Sequence, residues 1–178
     1  MERTLSTPSQ LPEEATGFPP LMCENPKILI LGTIPGKSSI NAGEYYHDGS
    51  NRLWKVIADI SGEEVPTDYC SKKSMLARHG IVLWDYYQKV TRVDSSDNGI
   101  LSGVQNNIPQ FLIDNPSIHT VAVLGYGKWK LFGEMLKHFC DTTDILSTVR
   151  VLRLPETSGL NARWDLSHLC EHWKCIFE

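Results

Sequence analysis

No run of this sequence stays apolar for the roughly 20 residues that a membrane-spanning helix needs, which excludes a helical membrane protein. The N-terminus, Met1 to Pro20, lacks the charged-then-apolar order of a secretion signal, so an intracellular, cytoplasmic protein is expected. Cysteine is sparse. The five residues Cys23, Cys70, Cys140, Cys170 and Cys175 are odd in number, widely spaced and form no Cys-x-x-Cys pair. They read as reduced thiols, and neither a zinc nor an iron–sulfur site is expected. Basic residues are outnumbered: 17 Lys and Arg against 21 Asp and Glu leave a net charge of −4. That balance argues against a sequence-independent coat on nucleic acid and leaves room for a local basic face. No internal repeat is visible.

What is present is core-forming material. A chain of 178 residues, 41% of them hydrophobic, is the size of one domain and can bury a sizeable core. Residues 1–16 are polar and predict a loose tail ahead of a single domain over 17–178. Four apolar runs, 27–32, 81–85, 119–125 and 149–155, read as strands buried on both faces of a parallel sheet. Helical stripes lie between and after them. Leu53, Trp54, Ile57 and Ile60 share a face that ends at Gly62, and a short helix within 66–80 stops at Gly80. Phe111, Leu112 and Ile113 follow Pro109, which suits a first helical turn. Trp129, Phe132, Met135, Leu136 and Phe139 form another stripe; Leu166, Leu169, Trp173 and Ile176 form the last, behind an Asp165 cap.

This alternation predicts an α/β fold with a parallel sheet and helices on both faces. Ligands in such sheets bind beyond the C-terminal ends of the strands. The loops starting at Gly32, Trp84, Gly125 and Pro155 are therefore the ones that matter. The polar segment from Val93 to Asn107 reads as a loop, either facing substrate or simply solvated.

Two readings compete at the first loop. Gly32, Gly36, Lys37 and Ser38 follow a strand, as in a phosphate-binding P-loop. Here only three residues separate the glycines where that motif has four, and Pro35 removes a backbone N–H from the cradle. A P-loop nucleotide kinase or NTPase is thus the weaker alternative.

The second reading uses more of the chain. Gly32, Ile34, Pro35, Gly36, Ser38 and Ser39 are followed by Tyr45 and Tyr46, then by Asn51, Arg52, Leu53 and Trp54. Gly17, Phe18, Pro19 and Pro20 precede them; Leu83, Trp84 and Asp85, Asn107 and Phe111, and Leu124 and Gly125 come after. The series closes on Leu154, Pro155, Glu156, Thr157, Ser158, Gly159, Leu160, Asn161, Ala162 and Arg163. In order and spacing this set resembles the uracil-DNA glycosylase superfamily from about residue 17 to the C-terminus. The hypoxanthine-DNA glycosylase branch and the mismatch-specific uracil/thymine branch are the nearest likenesses.

The resemblance implies a three-layer α/β/α sandwich around a central four-stranded, mainly parallel sheet. It implies a monofunctional enzyme that excises a deaminated base, hypoxanthine or possibly uracil, from double- or single-stranded DNA. No metal or organic cofactor is implied, and a monomer is expected. Such an enzyme must flip the nucleotide, hold the base, and stabilise charge as the C1′–N bond breaks. Gly32, Thr33, Ile34, Pro35, Gly36, Tyr46 and His47 would line the base site, with Tyr46 stacking on the base. In the mismatch-specific branch an Asn positions the water where Ile34 stands here. The hypoxanthine branch uses an Asn elsewhere, and Asn51 matches it.

Asn51 equally suits a helix cap. Tyr46 and His47 could be ordinary packed loop residues, and Glu44 and Asp48 are alternative water activators. Lys37, Ser38 and Ser39 would face DNA. Ser158 would hold a phosphate, Gly159 would allow close approach, and Leu160 would be the wedge left in the duplex. Asn161 and Arg163 could contact base pairs or phosphate, and Arg52, Lys128 and Lys130 could add to a basic face. Glu156 departs from the resembled family, where His, Asn or Ser is common; an acid there costs affinity for DNA. Such departures keep open a catalytically inactive member that only binds DNA or a nucleobase.

Overall fold

The protein is described by a computed structural model covering residues 11–125 and 149–178. Its strands are β1 (Glu13–Thr16), β2 (Ile28–Gly32), β3 (Ile81–Asp85), β4 (Tyr87–Arg92), β5 (Ile100–Gln105), β6 (Thr120–Leu124) and β7 (Arg150–Leu154). The helices are α1 (Lys37–Ala42), α2 (Leu53–Ser61), α3 (Tyr69–Arg78), α4 (Ile108–Asp114) and α5 (Leu166–Trp173).

The four apolar runs become the main sheet, in the order β3-β2-β6-β7, with every neighbouring pair parallel. Period-two alternation sends the side chains of each strand to two different cores. Ile28 and Ile30 pack with Leu83, Ala122 and Leu154 beneath α2, α3 and α5. Leu29, Leu31, Val82, Val121 and Val123 pack on the other face with Ile108 and Leu112 of α4. Layers on both sides of the sheet make an α/β/α sandwich. The chain leaves β2 toward β3 on one side and returns to β6 on the other. The strand order therefore reverses between β2 and β6, and the crevice beyond their C-terminal ends lies at Gly32 and Gly125.

Local chemistry sets the helix ends. Gly62 and Gly80 take φ of 71° and 66°, a left-handed conformation that stops the chain at low cost. Asp165 accepts from the His168 N–H at 2.9 Å and caps α5, as its sequence position predicts. Trp173 at the end of α5 is fully buried, and its Nε1–H donates to the Pro155 carbonyl at 3.2 Å. Trp173→Ala is expected to lower unfolding free energy by about 3–5 kcal/mol in a urea titration. A loss below about 1 kcal/mol would contradict this packing role.

Two expectations are corrected. The tail predicted over 1–16 does not run to residue 16, because Glu13–Thr16 forms β1 and pairs antiparallel with β4. Its side chains are mostly polar, and backbone pairing, Ala15, 5% exposed, and ion pairs of Glu13 with Lys37 and of Glu14 with Lys89 hold it in place. The segment from Val93 to Asn107 is not all loop: β5 pairs antiparallel with β4 and completes a second sheet, β1-β4-β5. An edge strand with mostly exposed side chains carries no alternation for a sequence reading to detect. The helical stripe from Trp129 to Phe139 lies outside the described residues.

Glu63, just past α2, bonds Arg78 and accepts from or pairs with His79 Nε2 at 2.6 Å. Hydrogen bonds from Arg78, then His79, hold its carboxyl down to about 2 from an ordinary 4.5. A depressed carboxyl contributes stability above its unfolded value and loses it as pH falls toward the folded one. Glu63→Gln should therefore flatten the loss of stability between pH 4.5 and 2, read from acid titrations of unfolding.

Candidate active site

The crevice at the end of β2 is built on glycine. A Cβ on Gly32 would meet Asp85 Oδ1 at 2.5 Å and Tyr46 Oη at 3.1 Å. Only glycine lets a carboxylate and a phenol converge on the strand end. Asp85 ends β3 and is 4% exposed, and its backbone carbonyl accepts from Asn106 Nδ2 at 2.8 Å. Tyr46 sits at φ 52°, rare for a bulky residue, and its carbonyl accepts from Trp54 Nε1 at 3.1 Å. Burial, then the charge of Asp85, pushes its hydroxyl well above the ordinary tyrosine value. Tyr46 therefore keeps its proton and remains a donor. Beside it, Tyr45 is buried, stacks on Tyr46 at 6.3 Å, and donates to the Pro19 carbonyl at 3.2 Å.

At the other side of the crevice, Glu156 covers Gly125. A Cβ there would meet its Oε1 at 2.3 Å, and Gly125 has φ 89°. The charge of Glu156 also contributes to the rise at Tyr46. Two carboxylates and a phenol thus surround the strand ends.

The first loop is fixed from behind. The Gly32 and Thr33 carbonyls accept from Tyr86 and Tyr87 N–H, both at 2.9 Å. Thr33 and Pro35 are buried, and the Pro35 carbonyl accepts from Arg92 Nη1 at 3.0 Å. Arg92 is only 1% exposed, and its Nε lies 3.7 Å from Glu13 of β1. The unexpected second sheet therefore braces the loop. Ile34 Cδ1 lies 3.8 Å from where a Cβ on Gly17 would stand. Gly36 precedes α1; Lys37 is exposed and pairs with Glu13 at 3.1 Å. Ser38 is half-buried, and Ser39 Oγ accepts from the His47 N–H at 3.2 Å.

The three acceptors once open as water activators part company here. His47 and Glu44 pair at 2.8 Å on the surface. Asp48 accepts from Ser50 N–H and Oγ at 2.8 and 2.6 Å, which lowers its carboxyl, so its lone pairs serve a turn. Asn51 Oδ1 accepts from Leu53 N–H at 3.0 Å and from Thr157 Oγ1 at 2.8 Å. Both lone pairs of that oxygen are filled, which leaves the amide its N–H2 donors. Asn51 acts as a cap from one position before Arg52, the residue that precedes α2.

The second loop is bolted to residues 50–52. Arg52 N–H donates to the Thr157 carbonyl at 2.9 Å. Its guanidinium donates to the carbonyls of Ser158 at 2.8 Å, of Asn161 at 3.1 Å and of Trp164. Gly159 lies so near Ser50 that a Cβ would fall 2.7 Å from its Oγ. Ser158 Oγ accepts from Leu160 N–H at 3.2 Å, and Asn161 Nδ2 donates to the Glu156 carbonyl at 3.0 Å. Leu160 projects from this rigid loop 91% exposed, with Arg163 also exposed nearby. The loop that presents this leucine is held by six hydrogen bonds.

The pattern of the family described as the uracil DNA glycosylase superfamily matches residues 19–177. The chain belongs to that superfamily. A curated relative from Methanosarcina acetivorans, named a hypoxanthine DNA glycosylase, is 28% identical over 90% of this chain and 96% of its own length. A second of that name, from Methanosarcina barkeri, is 38% identical over 47% of this chain, spanning about half of that relative's length, 54%. The solution structure of an M. acetivorans protein, provisionally described as a uracil DNA glycosylase, superposes with a TM-score of 0.76. That pair is 26% identical over 93% of this chain and 97% of the other.

Three features of this superfamily member go beyond the roles that the sequence assigns. Asp85 stands in the series that resembles the family, at the end of an apolar run, without a place at the base site. Arg52, expected on a basic face, spends its guanidinium on loop carbonyls. Thr157 is 1% exposed and points at Asn51, which no local pattern announces. Lys128 and Lys130 lie outside the described residues. No described helix is long and apolar enough to cross a membrane, and among the described residues no group of three or more His, Cys, Asp or Glu is placed so that it could hold a metal ion.

Proposed function

We propose that this chain is a monofunctional DNA glycosylase that hydrolyses the N-glycosidic bond of hypoxanthine in DNA, acting as a monomer. The observation that carries the reading is the buried Asp85 carboxylate beside the Tyr46 hydroxyl at the strand-order reversal. Deamination turns N1 of adenine from an acceptor into the N1–H donor of hypoxanthine. An ionised carboxylate only accepts, so Asp85 suits the deaminated base and repels the parent one. Tyr46 supplies a flat face, and its protonated hydroxyl suits a carbonyl oxygen. The full-length likeness to a hypoxanthine DNA glycosylase supports the same choice.

In the reaction, the C1′–N9 bond breaks and its electron pair goes to the base. A water oxygen bonds C1′ and releases a proton, which passes through solvent to the departing base anion to give neutral hypoxanthine. Glu156, the second carboxylate at the strand ends, offsets the positive charge that grows on the sugar, since Asp85 is engaged by the base. The Asn51 N–H2 group holds the water through one lone pair and leaves the other for C1′. Gly32, Thr33, Ile34, Pro35, Gly36 and His47 shape the site around the base. Lys37, Ser38, Ser158, Gly159, Asn161 and Arg163 face the DNA strand, and Leu160 fills the place of the flipped nucleotide; Ser39, expected with them, is buried and instead holds the His47 N–H.

Oligonucleotides carrying one hypoxanthine, uracil or adenine, treated with alkali after incubation without added metal, test this directly. Strand cleavage at hypoxanthine alone is expected. Cleavage at uracil alone would move the substrate to a pyrimidine, and binding without cleavage would make the chain an inactive member. Leu160→Ala should slow excision from duplex by roughly tenfold or more, because the unstacked gap goes unfilled. Excision from single strands should change little; an equal loss on both would remove the wedge assignment.

A further inference from the structure

We propose that Thr157 is a positioning residue for the Asn51 amide, so that the loop carrying the Leu160 wedge also aims the reaction. The proposal rests on the Asn51 role given above. Residues 50–52 and 157–164 could have met only through packing. Instead the Thr157 hydroxyl, 1% exposed, donates to Asn51 Oδ1 at 2.8 Å.

Leu53 N–H already chooses the oxygen end of that amide, at 3.0 Å. One hydrogen bond leaves the group free to swing about it. The second, from a different part of the chain, fixes both the plane and the direction of the N–H2 donors. Thr157 is itself held, because its carbonyl accepts from Arg52 N–H at 2.9 Å and Arg52 Nε at 3.4 Å. The same guanidinium reaches the carbonyls of Ser158 at 2.8 Å and Asn161 at 3.1 Å, on either side of Leu160. A displacement of the wedge is thus passed through Thr157 to the amide. Four of the five guanidinium N–H donors of Arg52 are spent inside the protein, on Thr157, Trp164, Ser158 and Asn161, so Arg52 serves geometry rather than phosphate.

The test is single-turnover excision of hypoxanthine from duplex, separating maximal rate from half-saturating enzyme. Thr157→Val removes the hydroxyl at constant shape. It should lower the maximal rate by about 10- to 100-fold, as a misaimed group does, with half-saturation unchanged. Thr157→Ser restores the donor and should return the rate to within about twofold, which a purely packing role would not allow. In an Asn51→Ala background, Thr157→Val should have no further effect.

Arg52→Lys gives an independent reading should the valine variant not fold. It should slow excision while leaving the slope of log affinity against log salt unchanged. A slope smaller by about 0.9 would mean that Arg52 neutralises a phosphate, and would overturn the clamp. A Thr157→Val enzyme as fast as the parent, or a serine variant as slow as the valine one, would overturn the proposal. Full activity of Asn51→Ala would instead remove the Asn51 role on which it rests.

Discussion

Asn51→Ala is expected to slow single-turnover excision of hypoxanthine by about 100- to 1000-fold, the usual cost of one preorganised donor. Binding to the lesion duplex should persist. The reason is the division of labour within the side chain. Its oxygen is occupied by Leu53 N–H at 3.0 Å and Thr157 Oγ1 at 2.8 Å, so what remains for the reaction is the N–H2 group. Deleting it removes the water's anchor and leaves the DNA-facing loop nearly intact, since Arg52 still holds three of its carbonyls. Some loss of stability accompanies the change, because Leu53 N–H loses its cap, by about 1 kcal/mol. Thermal unfolding separates that loss from the kinetic one. Activity within threefold of the parent would transfer the role to another group.

Asp85→Asn should lower kcat/KM for hypoxanthine by about 100-fold, since a hydrogen bond to a charged partner is worth about 1.5–3 kcal/mol. The substitution preserves size, which matters where a Cβ on Gly32 would meet the carboxylate at 2.5 Å. It exchanges one acceptor for a donor and removes the charge that helps hold the Tyr46 proton. Discrimination against adenine should fall with it, because an amide can donate to the adenine N1 acceptor as a carboxylate cannot. Assays on hypoxanthine and adenine in the same sequence context measure both effects. Unchanged kcat/KM for hypoxanthine would show that Asp85 does not read the base.

The main sheet was legible because β2, β3 and β6 are buried on both faces and read as nearly unbroken apolar runs; β7, at the edge, is only partly buried and carries Arg150 and Arg153 exposed among its apolar residues. These four runs, separated by helical stripes, leave little choice of architecture. The second sheet was not legible, because β1 and β5 are held by backbone pairing at an edge, with side chains that follow no burial pattern. Glycines at the strand ends marked the loops, yet what fills the space above them comes from elsewhere in the chain. Asp85 reaches Gly32 from the neighbouring strand, Glu156 reaches Gly125 from the far loop, and Thr157 reaches Asn51 across 106 residues. Contacts of that kind depend on the strand register between β2 and β3, where Gly32 stands opposite Asp85. Sequence spacing alone gives no access to it.

The most direct test of the account follows the products. Hypoxanthine-containing duplex is incubated with the protein, with and without borohydride, and the products are weighed by mass spectrometry. The account predicts free hypoxanthine, an intact strand with an abasic site, and no covalent protein–DNA adduct. No base release, or a strand already broken and linked to the protein on borohydride treatment, would contradict hydrolysis by a positioned water.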